Sequence, residues 1–315
     1  MTANHPGPVA IERIPIAVIG FGRMGRRHAE TLARSPDFEL VAVIDSDPAC
    51  VHAARTLGLS ASTRLADAFP LARAAIIAVP TEAHADTFEA LSGRGIDCLI
   101  EKPIGVSLAQ LDQMGAVAER NGTRIFAGYC ERFHPALPAL RASIGKAASR
   151  IEIHRTSKQS PDRRFDVDVM LDLLVHDLDW LYSIVDAEPL EARLESAHTP
   201  AHQLEEVTCW LRFPGDLQAR LTASRIATTR QRAVTVTHAD GESGVFSFDT
   251  PPDPASEDNL TAQARALAAA LRGLPSAIAD LSDARRVMSL VERLRDTEGR
   301  PFRERSLPRP VLHEL

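Results

Sequence analysis

Short apolar runs alternate with stretches of helical period over roughly the first 130 residues. Residues Ile14–Ile19, Phe38–Ile44, 74–79, 97–100 and 124–127 are dense in Ile, Val, Leu and Ala, the composition of strands buried on both faces. Between them, Arg23–Arg34, 48–57, 83–91 and 107–120 read as helices. Pro48 suits a first turn, Ser107 an N-cap, and Asn121-Gly122 a helix stop. Strand and helix in alternation predict a doubly wound parallel sheet.

The pattern then changes. A helix at 135–144 leads to a strand at 148–155, a polar loop at 156–165 and a long helix at 168–185. Strand-like runs follow at 190–198, 205–213, 217–224, 233–238 and 244–248, several of them alternating polar with apolar residues, as in Val234-Thr235-Val236-Thr237. Helices at 260–271 and 280–295 close the pattern. The expected fold is α/β: residues 1–128 as one doubly wound domain, and 129–315 as an α+β domain with a largely antiparallel sheet. A length of 315 residues suits two domains.

Composition narrows the partners. The chain is 44% hydrophobic with a net charge of −6, and its arginine pairs, Arg26-Arg27 and Arg163-Arg164, are too short for a basic arm, so no nucleic acid is expected. Cys50, Cys98, Cys130 and Cys209 lack metal-ligand spacing, so no metal is expected. No long apolar stretch and no basic leader are visible; a cytoplasmic protein without a membrane span is expected.

Candidate chemistry begins at Gly20-Phe21-Gly22-Arg23-Met24-Gly25, a G-x-G-x-x-G run placed between a strand and a helix. Gly20 permits the tight turn, Gly22 lets backbone approach a pyrophosphate, and Gly25 lets helix and strand pack closely. The phosphates would lie at the helix N-terminus. Asp45, 20 residues past Gly25, is placed for the adenosine ribose hydroxyls and opposes a 2′-phosphate. This Rossmann pattern predicts NAD as cofactor, with NADP as the alternative because Arg23 lies nearby.

Two more motifs carry chemistry. Glu101-Lys102-Pro103 ends a parallel strand, where ligands of such sheets bind. Asp172 and His176 stand i,i+4 on the expected long helix, so both could face one pocket. Histidine is a natural base near neutral pH, and a nearby carboxylate can orient it.

Taken together, these residues resemble the glucose–fructose oxidoreductase, inositol dehydrogenase and MocA (Gfo/Idh/MocA) family. The resemblance runs through Arg27-His28, Val79-Pro80-Thr81-Glu82-Ala83-His84, Glu101-Lys102-Pro103, Gly128-Tyr129-Cys130-Glu131-Arg132-Phe133-His134-Pro135, Asp172 with His176, and Thr297-Glu298-Gly299-Arg300-Pro301. The pattern is closest to members of the UDP-N-acetylglucosamine 3-dehydrogenase kind, which share the Glu-Arg-Phe-x-Pro segment and a Pro-x-Arg loop, here Pro161-Asp162-Arg163. Leu174 departs from the Gly that often stands between the family's Asp and His.

The resemblance implies hydride transfer between nicotinamide and a secondary alcohol or ketone of a sugar, cyclitol or nucleotide sugar. His176 would take the hydroxyl proton, Lys102 would bind the same oxygen, and Asp172 would position the alcohol or tune His176. Val79, Pro80, Thr81, Glu101 and Lys102 would line the cofactor. His84 is either a cofactor contact or a packing and capping residue. Tyr129, Arg132 and Arg163 would border the substrate, with Arg132, Arg163 and Arg164 drawing a negatively charged one. The other readings are an NADPH-dependent imine or carbonyl reductase and a non-catalytic dinucleotide sensor. A homodimer or homotetramer is a family-level expectation.

Overall fold

The computed structural model describes residues 12–145, 148–158, 166–200, 203–249 and 256–297. The first half forms β1 (Ile14–Ile19), α1 (Arg23–Arg34), β2 (Phe38–Ile44), α2 (Pro48–Thr56), β3 (Ala61–Ser62), β4 (Ala74–Ile77), α3 (His84–Ser92), β5 (Asp97–Glu101), α4 (Leu108–Asn121) and β6 (Ile125–Gly128). All its strands run parallel in a six-stranded sheet of order β3-β2-β1-β4-β5-β6. The order reverses beside β1, so the crevice beyond the strand ends opens there. Strand β3 is too short to leave an apolar run, which is why the sequence does not announce it.

The second half contains α5 (Leu137–Ile144), β7 (Ala148–Lys158), α6 (Val175–Val185), β8 (Glu191–His198), β9 (Glu206–Arg212), β10 (Gln218–Ala227), β11 (Gln231–His238), β12 (Ser243–Ser247), α7 (Asn259–Leu271) and α8 (Leu281–Arg295). Its sheet has the order β12-β11-β7-β10-β9-β8 and is antiparallel except where β10 meets β7. Ile151, Ile153, Leu221 and Val236 are buried under α6, whose Trp180 and Leu181 belong to the same core cluster.

The long helix also differs from the sequence expectation. The helix does not run evenly from Asp168. Met170–Leu174 form a wide π-type turn, and regular helix starts at Val175. The Asp168 carboxylate accepts the Met170 and Leu171 N–H groups at 3.0 and 3.1 Å and so starts this turn. Across a π turn, an i,i+4 pair no longer stacks on one face as in an α-helix.

The last two helices return to the first sheet. Ala264, Leu267 and Ala268 of α7 lie in one apolar cluster with Ile16, Val18, Leu32 and Phe126. The Ala127 N–H donates to the Ala279 carbonyl at 2.8 Å, so the segment before α8 covers the open edge of β6.

Candidate active site

The glycine turn follows β1 with little room to spare. Gly20 has φ +92°, and a Cβ there would lie 2.6 Å from the Ala78 carbonyl. A Cβ on Gly25 would fall 1.8 Å from the Gly20 carbonyl oxygen, so only glycine lets α1 start this close to the strand. Gly22 faces open space, and no side chain caps α1 there. Open backbone at an uncapped helix N-terminus fits a pyrophosphate. Asp45 ends β2 beside this turn. Its Oδ2 accepts the Phe21 N–H at 2.6 Å and its Oδ1 the Asp47 N–H at 2.8 Å, which fixes the carboxylate. Arg23 is exposed.

After β4 the chain turns through Val79, Pro80 and Thr81. His84 is buried here: its Nε2 lies 3.0 Å from the Val79 carbonyl, and its Nδ1 lies 2.9 Å from that of Pro103 and 3.3 Å from that of Ile104. Burial holds its pKa below the ordinary histidine value despite these carbonyls. With both ring nitrogens against backbone, His84 ties the β4 turn to the β5 turn, which favours its packing reading over a cofactor contact. The Thr81 N–H donates across to Asp166 Oδ2 at 2.9 Å.

At the end of β5, Glu101 points back toward α1. Its Oε1 lies 2.6 Å from His28 Nε2, both groups buried. Burial alone would raise the Glu101 pKa, but His28 and then Lys102 outweigh it and hold the carboxyl below its usual range. Glu101 therefore braces the glycine-loop helix against the strand carrying Lys102.

Lys102 reaches the second half of the chain. Its Nζ donates to Asp172 Oδ1 at 2.7 Å and to the Asp172 carbonyl at 2.8 Å. Two of the three ammonium N–H groups are thus committed. Asp172 Oδ2 lies 3.5 Å from Arg225, a buried residue that also grips Glu205 at 2.8 and 3.0 Å.

His176 is buried beyond the π turn. The Tyr129 ring stands edge-on to it, with centroids 6.4 Å apart. Its Nδ1 has no hydrogen-bond partner among the described residues. Burial first, and then the charges of Lys102, Arg155 and Arg232, hold its pKa well below the ordinary value. Desolvation and these cations leave the imidazole uncharged near neutral pH. Asp172 is turned to Lys102 and Arg225. Leu174 is fully buried in the core.

Arg132 is held by two carboxylates. Its guanidinium grips Asp179 at 2.5 and 3.0 Å and Asp283 at 3.0 Å. It joins the Tyr129–His134 segment to α6 and α8. Arg163, Arg164, Pro161 and Asp162 lie outside the described residues, as do Glu298 to Pro301.

Residues 14–129 match the model of an oxidoreductase family with an NAD-binding Rossmann fold, that of Gfo/Idh/MocA. UDP-N-acetylglucosamine 3-dehydrogenase of Acidithiobacillus ferrooxidans is 30% identical over 226 residues, 70% of this chain and 69% of the relative. The chain belongs to the Gfo/Idh/MocA oxidoreductase family. Another relative of this family member, myo-inositol dehydrogenase Hyg17 of Streptomyces leeuwenhoekii, is 29% identical over 67% of this chain and 69% of its own. In fold, the family member follows the WlbA dehydrogenase of Bordetella pertussis, solved with NADH and UDP-GlcNAcA: TM-score 0.76, 17% identity, 91% and 96% of the two chains covered. The cofactor of the family fold is NAD, and the glycine turn described above fits it. Among the described residues, no helix could cross a membrane, and no cluster of His, Cys, Asp or Glu is set to hold a metal.

Sequence reasoning missed Arg225, Asp166, and Arg155 and Arg232 near His176. One signal was available. Ala219, Leu221 and Ala223 mark the buried face of β10, and period-two alternation puts Arg225 on that face too. A cation at an inward strand position calls for a buried partner.

Proposed function

We propose that this chain is an NAD-dependent dehydrogenase acting on a secondary alcohol or ketone of a sugar, cyclitol or nucleotide-sugar ring. The observation that carries the reading is the ion pair of Lys102 with Asp172, formed between the two halves of the chain near a neutral His176. NAD supplies the hydride acceptor or donor when bound. His176, uncharged before reaction, takes the hydroxyl proton as the alcohol is oxidised and returns it in the reverse direction. Lys102 donates its uncommitted N–H to the same oxygen and stabilises the charge developing there. Asp172 holds that ammonium in place. Tyr129 walls the pocket beside His176.

Among substrates, a nucleotide sugar leads, since relatives of this chain include the UDP-N-acetylglucosamine 3-dehydrogenase. Arg163 is the arginine we assign to its phosphates, because Arg132 is filled by carboxylates. NAD preference over NADP rests on Asp45. The division at residues 128/129, a homodimer or homotetramer, and a cytoplasmic location belong to the same proposal; four free cysteines are in keeping with a reducing compartment.

The test is absorbance of reduced nicotinamide, with NAD and NADP in turn, against a panel of inositols, free sugars and UDP-sugars. Turnover on a ring alcohol with NAD is the expected result. Activity confined to imines with NADPH, or none with any panel member while dinucleotide still binds, would overturn the reading.

A further inference from the structure

Lys102 and Asp172 are the inner members of a longer charge row. Arg225 stands behind Asp172, and Glu205 stands behind Arg225, so charges alternate from Lys102 to Glu205. Arg225 is almost fully buried on β10, and its guanidinium is fixed on several sides. It pairs with Glu205 in bidentate fashion, and it donates to the Val167 carbonyl at 2.8 Å and the Leu204 carbonyl at 3.3 Å. The Arg225 N–H in turn donates to the Glu205 carbonyl at 2.9 Å, which ties β10 to the start of β9. Asp172, by contrast, sits in a π turn, where the backbone ladder is locally rearranged and orientation depends more on side-chain partners.

We propose that Arg225 is a positioning residue for the hydride-transfer site, holding Asp172 aimed so that its Oδ1 and carbonyl clamp the Lys102 ammonium. The role rests on the function proposed above. Arg225 touches neither substrate nor cofactor. A cation fixed behind Asp172 opposes rotation of that carboxylate away from Lys102. Lys102 then stays a donor of set direction, and His176 is left to move the substrate proton. An arginine suits this task better than a lysine, because its planar fork can hold Glu205 and two carbonyls while still facing Asp172.

The test is a double-mutant cycle of Arg225→Gln with Asp172→Asn, each variant first checked for a cooperative thermal transition. Arg225→Gln should lower kcat by about ten-fold, the scale of coupling within one charge network, while KM and dinucleotide Kd change by no more than about two-fold. Arg225→Gln should cost almost nothing further when Asp172 is already Asn. If Arg225→Gln does not fold, Arg225→Lys replaces it in the cycle, with a smaller loss and the same non-additivity. A full additional loss on top of Asp172→Asn would make Arg225 merely structural and overturn the proposal.

A second readout needs no turnover. The rate at which acetic anhydride modifies Lys102, followed by mass spectrometry, should rise in Arg225→Gln and in Asp172→Asn to the same extent. An unchanged or slower rate in Arg225→Gln would overturn the clamp. This arm separates the two ideas: a wild-type chain inactive on every ring alcohol sinks the proposed function, while the Lys102 rate still decides the role of Arg225.

Discussion

His176 carries the sharpest expectation at the scale of single residues. A placed base contributes about 10²–10⁴-fold to turnover, so His176→Ala should lower kcat by roughly that range with little change in dinucleotide affinity. Near wild-type turnover would make the ring a structural residue. Its environment also sets a pH dependence. Burial, with Lys102, Arg155 and Arg232, depresses the folded pKa well below the ordinary value, so the base stays neutral through the neutral range. The acid limb of kcat/KM should therefore fall well below about pH 6.5, the unperturbed histidine value. Arg232→Gln should move that limb upward, both by removing a cation and by releasing Glu131, its ion-pair partner. A wild-type limb at the ordinary value would refute the neutral base. The linked stability has a definite sign. The unfolded chain takes up a proton below about pH 6.5 that folded His176 refuses, so this contribution is present above that pH and is lost as pH falls. Asp45 offers a separate test. Asp45→Ser should raise the ratio of kcat/KM for NADP to that for NAD, and an unchanged ratio would remove Asp45 from cofactor choice.

Two glycines of one turn should behave differently when the element is the unit. Gly25→Ala puts a methyl into the Gly20 carbonyl and must push α1 away from β1, so denaturant unfolding should show a loss of about 3 kcal/mol or more. Gly22→Ala meets nothing in the protein, so its stability should stay within about 0.5 kcal/mol while dinucleotide affinity drops. Equal effects on stability would contradict the division of labour between the two glycines. That division was legible in the sequence, because a G-x-G-x-x-G turn between strand and helix admits few geometries. The strands and helices were legible for a similar reason: β1, α1 and β2 have the bounds their apolar runs suggest, since both sheet faces are covered. The π turn was not. Helical periodicity records which residues are apolar, and Met170, Leu171 and Leu174 are apolar and buried in either geometry. The partner of Asp172 was equally hidden, because Lys102 and Arg225 come from distant strands and only the assembled sheets bring them to it.

The whole molecule is stitched in more places than a two-domain reading suggests. Helix α7 supplies Leu267 and Ala268 to the core beneath the first sheet, and Arg272, just beyond it, pairs with Asp37 at 2.6 Å. A fragment of residues 1–128 would expose the apolar surface that α7 covers, along with the edge of β6. It should be poorly soluble and lack a cooperative thermal transition, whereas the full chain should melt cooperatively. A soluble fragment 1–128 with a sharp transition would show that the first half is self-sufficient and that α7 is an accessory.

The Lys102–Asp172 contact has one more consequence, and it concerns disorder. A free lysine side chain samples many rotamers, and confining it costs about 2 kcal/mol. When an active-site lysine meets its ligand unconfined, that cost recurs at every encounter and weakens the charge stabilisation it offers. Here the ammonium is already held by two bonds to Asp172 before any substrate arrives. Its rotational freedom is surrendered once, as the chain folds, and in the proposed mechanism the remaining N–H would meet each incoming oxygen from a direction set in advance.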